Sequence, residues 1–290
     1  MQLRLKAALD RYLNDADPGE ARLVRIEIPI PEIDPFVWLN AQTSMERLYW
    51  RGRHADSRIA MCGVARDLSG DSRPDYEELA LELNGFLERP GAEPRLYGGM
   101  RFDLDRIPEE GWFGFPAWRF ILPRFELHRH GEKAFLCCNL VLPEDISARD
   151  AIYEQIEELN FSGTDLPDEL PVPQHRIDNP GFDGWKNQVG WALDAYSRDV
   201  PHKVVLARRV DFSFDSAPEP VELLRVLQDA TPSCFHFLFE SGGSAFVGAT
   251  PERLFFRRGR EVFSEAVAGT RPRGDTSDSD EAYRTSLLAS

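Results

Sequence analysis

Two ionisable side chains in the last third of the chain have the types and surroundings that acid–base chemistry needs. Lys203 stands directly before the apolar segment VVLA, where a side chain at the mouth of a strand can be partly removed from water. A lysine accepts a proton once its pKa is lowered, whereas an arginine stays charged. Lowering a lysine pKa from about 10.4 to near 7 takes roughly 4–5 kcal/mol of desolvation or like-charge repulsion. Lys203 is therefore a candidate general base, and an exposed structural lysine is the alternative.

Glu252 is the second candidate and lies in the segment Thr250-Pro251-Glu252. Because proline cannot donate to a strand ladder, this segment predicts the end of a strand and a bend at Glu252. A carboxyl group that protonates a leaving hydroxyl must keep its proton near neutral pH, so it needs shielding from water. The alternative for Glu252 is a surface residue paired with Arg253.

The corner Ala268-Gly269-Thr270 is a candidate anion-binding site. Its backbone N–H groups are not hidden by a bulky side chain, which suits a bound carboxylate. Most corners of this kind are only turns, and that alternative stays open. Glu265, just before the corner, is interpreted as a wall residue without a role.

Several segments resemble a known family. TPERL and EAVAGTRPRG together resemble the signature of the chorismate-binding enzymes, and HKVVLARR extends the similarity upstream. In the first half of the chain, WLNAQ, LYWRG, YGGMRFD, FPAWRFILPR and NLV resemble blocks of isochorismate synthases in the same order. The resemblance covers most of the chain and points to the menaquinone type of isochorismate synthase.

This resemblance implies a magnesium-dependent conversion of chorismate to isochorismate, in menaquinone or siderophore biosynthesis. Lys203 would activate water for attack at ring C2, and Glu252 would protonate the departing C4 hydroxyl. Gly269 and Thr270 would receive a substrate carboxylate. Amine-transferring relatives usually lack a lysine at the position of Lys203, and aminodeoxychorismate synthases generally have one where this chain has Ala268.

The carboxylates that bind Mg²⁺ in the resembled enzymes have no counterpart in this sequence. We therefore expect no metal ligands within the chain, Mg²⁺ ligands beyond residue 290, and no activity from residues 1–290 alone. Two alternatives remain. One is a salicylate synthase, which uses the same two residues and then eliminates pyruvate; the other is a truncated, non-catalytic fragment.

Composition narrows the possible partners. The 290 residues are 42% hydrophobic, enough for a sizeable core, and the net charge of −15 argues against binding nucleic acid or an anionic membrane. No apolar run suits a signal peptide or a membrane span, so a cytoplasmic protein is expected. The four cysteines have no CxxC spacing and are expected to be reduced and buried. The oligomeric state is not predicted.

The elements that must position these residues indicate an α+β fold, with large antiparallel sheets and helices packed on their outer faces. Residues 1–165 are expected to form the scaffold and 166–180 a proline-rich connector. Residues 181–290 would begin the catalytic region, so that the fold would be incomplete.

Local patterns predict individual elements. Strands are expected at Phe36–Leu39 and Val204–Val210, and a hairpin around Ser241-Gly242-Gly243-Ser244. A helix is expected from Tyr76, capped by Asp75. The stretch from Asp275 to Glu281 is expected to be a solvated loop.

Two further patterns have competing interpretations. His128 and His130 alternate along a strand, and a solvated face is favoured over a metal pair. Gly98-Gly99 predicts a bulge or a close backbone approach rather than a phosphate loop.

Overall fold

The computed structural model describes residues 1–42, 46–53, 57–87, 95–163, 170–198, 204–265 and 270–289. The helices are α1 (Gln2–Asn14), α2 (Pro35–Asn40), α3 (Tyr76–Leu87), α4 (Glu144–Ser147), α5 (Arg149–Glu158), α6 (Phe182–Ser197), α7 (Pro220–Ala230) and α8 (Ser277–Leu288), with a 3₁₀ turn at Glu110–Trp112. The strands are β1 (Arg22–Ile30), β2 (Arg47–Arg51), β3 (Ser57–Gly70), β4 (Tyr97–Met100), β5 (Trp118–His130), β6 (Lys133–Leu142), β7 (His175–Asn179), β8 (Arg209–Ser213), β9 (Phe235–Ser241), β10 (Ser244–Thr250), β11 (Phe256–Arg258) and β12 (Glu261–Phe263).

Within the described residues, the centre of the fold is an eight-stranded antiparallel sheet. Its strands run in the order β1-β6-β5-β3-β2-β9-β10, and β4 pairs with β5 beyond the end of β6. The pairs β7–β8 and β11–β12 form two separate small ladders. Strand β2 lies between β3 and β9, so strands from the two halves of the sequence share one sheet.

Alternation along the strands gives the sheet two different faces. On one face, side chains such as Ile26, Phe125 and Leu136 are buried in a single apolar cluster. The same cluster contains Leu9 of α1 and Leu224 of α7, and residues of α2 and α5. Strand residues of period two and helix residues of period three to four therefore meet in one layer, which is the main core. The expected α+β fold with helices on the outer face of a large antiparallel sheet is confirmed.

The opposite face of β1, β5 and β6 holds a buried polar cluster around Glu126. Arg25 donates to both oxygens of Glu126, at 2.8 and 3.2 Å, and Asn139 donates to Oε1 at 2.5 Å. His128 Nε2 lies 2.6 Å from Glu126 Oε2. The half-buried His128 therefore belongs to a carboxylate cluster. The prediction that His128 and His130 lie on a solvated strand face is only partly correct, since only His130 is exposed.

The cysteines behave as small apolar residues. All four are free; Cys62, Cys137 and Cys138 are buried, and Cys234 is half-buried. Cys138 packs in the main core, whereas Cys137 contacts Arg25 on the other face. Burial raises the pKa of Cys138 to about 12, so its thiol stays protonated and unreactive near neutral pH.

Glycine 98 confirms the predicted close backbone approach. A Cβ atom at Gly98 would lie 1.9 Å from the carbonyl oxygen of Arg119, on the neighbouring strand β5. Gly99 has open space at the same position. The pair therefore allows β4 to approach β5 closely, and only its first member is required for that contact.

Several local predictions are confirmed. Asp75 caps α3 by accepting hydrogen bonds from the N–H groups of Glu77 and Glu78. The hairpin β9–β10 turns through Gly242 and Gly243, whose φ values of +55° and +78° suit a two-residue turn.

Three local predictions need correction. Phe36–Leu39 is helical, because Asp34 accepts from Phe36 and Val37 at the start of α2, and Pro35 occupies the first turn. Within the described part of Val204–Val210, only Arg209 and Val210 are in a strand, because β7 offers a partner from Arg209 onward. Asp275–Glu281 is not wholly a loop: α8 begins at Ser277, with Thr276 and Ser279 forming a capping box.

The predicted division at residues 166–180 stays a prediction. Residues 164–169 lie outside the described ranges, and β7 occupies the end of the proposed connector. Among the helices that are described, none has the length and apolar character needed to cross a bilayer.

Candidate active site

The hairpin β9–β10 delivers the segment that carries Glu252. Strand β10 pairs with β9 from Ser244 opposite Ser241 to Thr250 opposite Phe235, and the ladder stops before Pro251. The Thr250 hydroxyl then accepts a hydrogen bond from the Glu252 N–H at 3.2 Å. The predicted end of the strand and the bend are therefore confirmed, and the local cause is a proline that cannot extend the ladder.

Glu252 itself is exposed in the described residues. The alternative interpretation paired it with Arg253, but the Arg253 guanidinium instead lies over aromatic rings, 5.1 Å from the Phe235 centroid and 5.5 Å from that of Phe256. No ion pair to Glu252 is found among the described side chains. Among the described residues, the Glu252 carboxylate therefore has no basic partner and does not lie in a buried pocket.

Arg53 is the side chain that sequence reasoning missed. Its Nη1 donates to the carbonyl oxygen of Pro251 at 2.6 Å, and its Nη2 donates to Glu265 Oε1 at 2.5 Å. Its guanidinium also lies 5.4 Å from the centroid of Phe235. The sequence offered a partial signal, since Arg53 directly follows the LYWRG segment.

Glu265 consequently has a partner rather than serving only as a wall. Its side chain is 30% exposed and that of Arg53 is 21% exposed, so the ion pair is partly shielded from water. The pair brings the bend before Glu252 next to the residue that precedes the Ala268-Gly269-Thr270 corner in sequence. Arg53 therefore links the bend before Glu252 to Glu265.

The remaining predicted residues are only partly described. Lys203 and Gly269 lie outside the described residues, so their predicted roles are untested. Thr270 is described and exposed, and its carbonyl oxygen accepts from Arg271 Nη1 at 3.0 Å. No hydrogen bond joins Glu252 to Thr270 in the parts of the chain that are described.

A cleft of about 1090 Å³ lies on the sheet face opposite the main core. It is lined by the aromatic side chains of Trp50, Trp112, Phe115, Phe237, Phe239 and Phe246, and by Arg101, Arg106, Arg119, Arg208 and Arg209. Glu252 and Thr270 are not among the described residues that line it. Arg208 and Arg209 of the HKVVLARR segment line the cleft, whereas Glu252, the predicted acid, is not among its described lining residues.

The whole pattern can be compared with known proteins. A family model described as "Chorismate binding enzyme" matches residues 7–290. The chain belongs to the chorismate binding enzyme family. This match spans the scaffold strands as well as the segments around Lys203 and Glu252, so the expected resemblance is confirmed.

Individual relatives of this chorismate binding enzyme chain agree. It is 26% identical over 324 residues to isochorismate synthase 2, chloroplastic, of Arabidopsis thaliana, covering 99% of this chain and 57% of that protein. It is 28% identical over 271 residues to the isochorismate synthase MenF of Escherichia coli, covering 90% of this chain and 57% of MenF. The chain therefore spans less than two thirds of the curated relatives it matches here.

A solved structure supports the fold. The menaquinone-specific isochorismate synthase MenF from Escherichia coli superimposes with a TM-score of 0.71 at 24% identity. This superposition covers 100% of the chorismate binding enzyme chain and 65% of the MenF chain.

Proposed function

We propose that the protein containing this chain is an isochorismate synthase of the menaquinone type, which converts chorismate to isochorismate. The observation that carries this proposal is the similarity to isochorismate synthases along nearly the whole chain, 99% of it in the Arabidopsis comparison. A lysine at position 203 adds support, because the amine-transferring relatives usually lack it. The hairpin that carries Glu252 at a proline bend gives the proposed acid a defined backbone position.

In this proposal the residues of the chain divide the proton transfers between them. Lys203, in its neutral form, takes a proton from water as the water oxygen bonds to ring C2. Glu252 gives a proton to the C4 hydroxyl as that group leaves as water, so one water enters and one departs. Gly269 and Thr270 hold a substrate carboxylate through backbone and hydroxyl donors. Glu252 must then be shielded from solvent in the working site, because a general acid has to hold its proton until the hydroxyl leaves.

We propose that the reaction requires Mg²⁺, but no proton transfer described above is assigned to the metal ion. Among the described residues, no three His, Cys, Asp or Glu side chains are grouped so that they could hold a metal ion. Glu265, the acidic residue nearest in sequence to the corner, is bonded to Arg53. No such group among the described side chains supports a magnesium site, and the expected ligands beyond residue 290 stay a prediction.

The test is a product assay with the intact protein. Chorismate is supplied with and without Mg²⁺, and the products are separated chromatographically, with an ammonium salt present in a parallel reaction. Isochorismate as the accumulating product, formed only with Mg²⁺, would support the proposal. Salicylate would favour the second candidate, a salicylate synthase, and anthranilate from the ammonium reaction would contradict the assignment to water addition.

A matched pair of variants makes the assay specific. Lys203→Ala should abolish isochorismate formation, while Lys133→Ala changes an exposed lysine on β6 and should leave it intact. Equal activity in the two variants would contradict the role of Lys203 without excluding the reaction itself.

A further inference from the structure

Arg53 lies where the ends of three strands meet. Strand β2 pairs with β9 as far as Arg51 opposite His236, and β10 pairs with β9 as far as Thr250 opposite Phe235. Arg53 follows β2 by two residues, so it emerges beside the bend that follows β10. The register of the sheet, rather than proximity in sequence, brings Arg53 to Pro251.

The contacts of Arg53 fix two chain segments at once. The Pro251 carbonyl and the Glu265 carboxylate accept from different nitrogen atoms, at 2.6 and 2.5 Å. The partners are 198 and 212 positions away in sequence. Since the guanidinium also faces the buried ring of Phe235, three neighbours restrict its orientation.

We propose that Arg53 is a positioning residue that holds the bend preceding Glu252 against Glu265, which follows β12 by two residues. This inference rests on the proposed function, since Glu252 is the proton donor in that proposal. Arg53 does not touch the reacting atoms. It acts through the Pro251 carbonyl, one residue before the acid, and so sets the position of the Glu252 backbone.

The planar guanidinium is what this geometry requires. Its separate N–H groups point in fixed directions, so it can bond a carbonyl and a carboxylate while lying against an aromatic ring. A lysine ammonium is a single point donor on a flexible stem and does not reproduce that arrangement. Arg53→Lys therefore keeps the charge and removes the positioning.

The first test measures kinetics in the intact protein. Arg53→Ala should lower kcat by about 10²-fold with a smaller change in KM, since misplacing a catalytic group by about 1 Å has that effect. Arg53→Lys should lower kcat at least about 10-fold for the same reason. Arg73→Ala is the matched control, because Arg73 forms a two-bond pair with Asp105 at the exposed surface.

The decisive comparison uses a double variant. In a Glu252→Gln background, Arg53→Ala should produce little further loss of kcat, because residues that act as a unit are not additive. A full additional 10²-fold loss in that background would show that Arg53 acts elsewhere and would overturn the proposal.

A second measurement does not depend on activity. Amide hydrogen exchange at residues 250–256 should accelerate in Arg53→Ala and in Glu265→Gln, and should stay unchanged in Arg73→Ala. Unchanged exchange in both Arg53→Ala and Glu265→Gln would overturn the proposal that Arg53 holds the bend. If the unaltered protein forms no isochorismate, the proposed function fails, and the exchange experiment alone decides whether Arg53 holds the bend.

Discussion

Arg124 and Asp145 form an ion pair that is almost entirely enclosed by the protein. Arg124 Nη1 lies 2.7 Å from Asp145 Oδ2, Nη2 lies 2.9 Å from Oδ1, and each side chain is 6% exposed. Asp145 Oδ2 also accepts from the Val141 N–H at 2.7 Å. The pair thereby joins β5 to α4 at the end of β6. Because water solvates neither charge, each side chain needs the other as its counter-ion.

Removing one member of this pair should be strongly destabilising. Asp145→Asn leaves the Arg124 charge buried without its counter-ion, a change that costs about 3–5 kcal/mol in the free energy of unfolding. Asp105→Asn removes the partner of the exposed Arg73 and should cost far less, because an exposed ion pair is screened by water. Urea unfolding of both variants measures the difference, and similar losses would contradict the importance of burial.

Glu126 should make stability depend on acid pH. Burial opposes its ionisation most strongly, but hydrogen bonds from His128 and Arg25 outweigh that effect and lower the pKa from 4.5 to about 2. Because the folded pKa is depressed, the stabilisation is present above pH 4.5 and disappears as the pH falls toward about 2.

Glu126→Gln provides the comparison for that pH dependence. We expect the parent to be more stable than the variant at neutral pH, and the difference to shrink as the solution is acidified below about pH 4.5. Urea unfolding at several pH values checks this. A difference that stays constant down to about pH 3 would mean that Glu126 ionisation is not linked to folding.

Gly98 and Gly99 provide a test at neighbouring positions. Gly98→Ala places a Cβ against the backbone of β5 and should cost roughly 1–3 kcal/mol as β4 moves away. Gly99→Ala meets nothing within 4 Å and should have a much smaller effect. Thermal unfolding of the two variants compares them directly, and equal midpoints would show that β4 is not held as closely as described.

Lys203→Arg tests proton acceptance separately from charge. Arginine keeps the positive charge but cannot act as a base, so we expect kcat to fall as far as in Lys203→Ala while chorismate binding is largely retained. Steady-state kinetics and calorimetric titration of chorismate give the two quantities. Substantial turnover by the arginine variant would rule out the general-base role.

Glu252→Gln tests proton donation. Glutamine keeps the size and hydrogen-bonding capacity but provides no acidic proton, so kcat should fall by roughly 10²–10⁴. The pH profile of kcat separates a general acid from a surface residue. If the variant loses the fall in kcat at high pH that comes from deprotonation of the acid, the general-acid role of Glu252 is supported. An unchanged rate across the pH range would identify Glu252 as a surface residue.

Local chemistry made part of this structure predictable. The cap at Asp75, the turn at Gly242-Gly243 and the strand end at Pro251 depend on a few neighbouring residues, and all three are found as expected. The strand predicted at Phe36–Leu39 was wrong. Its apolar run is short, and a run of that length does not distinguish a capped helix from a strand. The strand predicted at Val204–Val210 was wrong over most of its length, because a strand needs a partner strand that local sequence does not specify.

The candidate site divides in the same way. The position of Glu252 at a bend follows from Pro251, and its membership of a motif follows from the family. The contact of Arg53 with the Pro251 carbonyl depends on the pairing of β2 with β9 and of β10 with β9, which is a property of the whole sheet. No local pattern could have supplied that register.

The central position of β2 has a consequence for synthesis on the ribosome. Arg47 and Glu240 contact each other across a sequence separation of 193 residues. At a translation rate of about 5–20 residues per second, the open edge of β2 waits roughly 10–40 s for β9 to be made. An unpaired edge of that kind attracts other strands. The nascent chain therefore passes through a period in which the edge of β2 is open to pairing with strands other than β9.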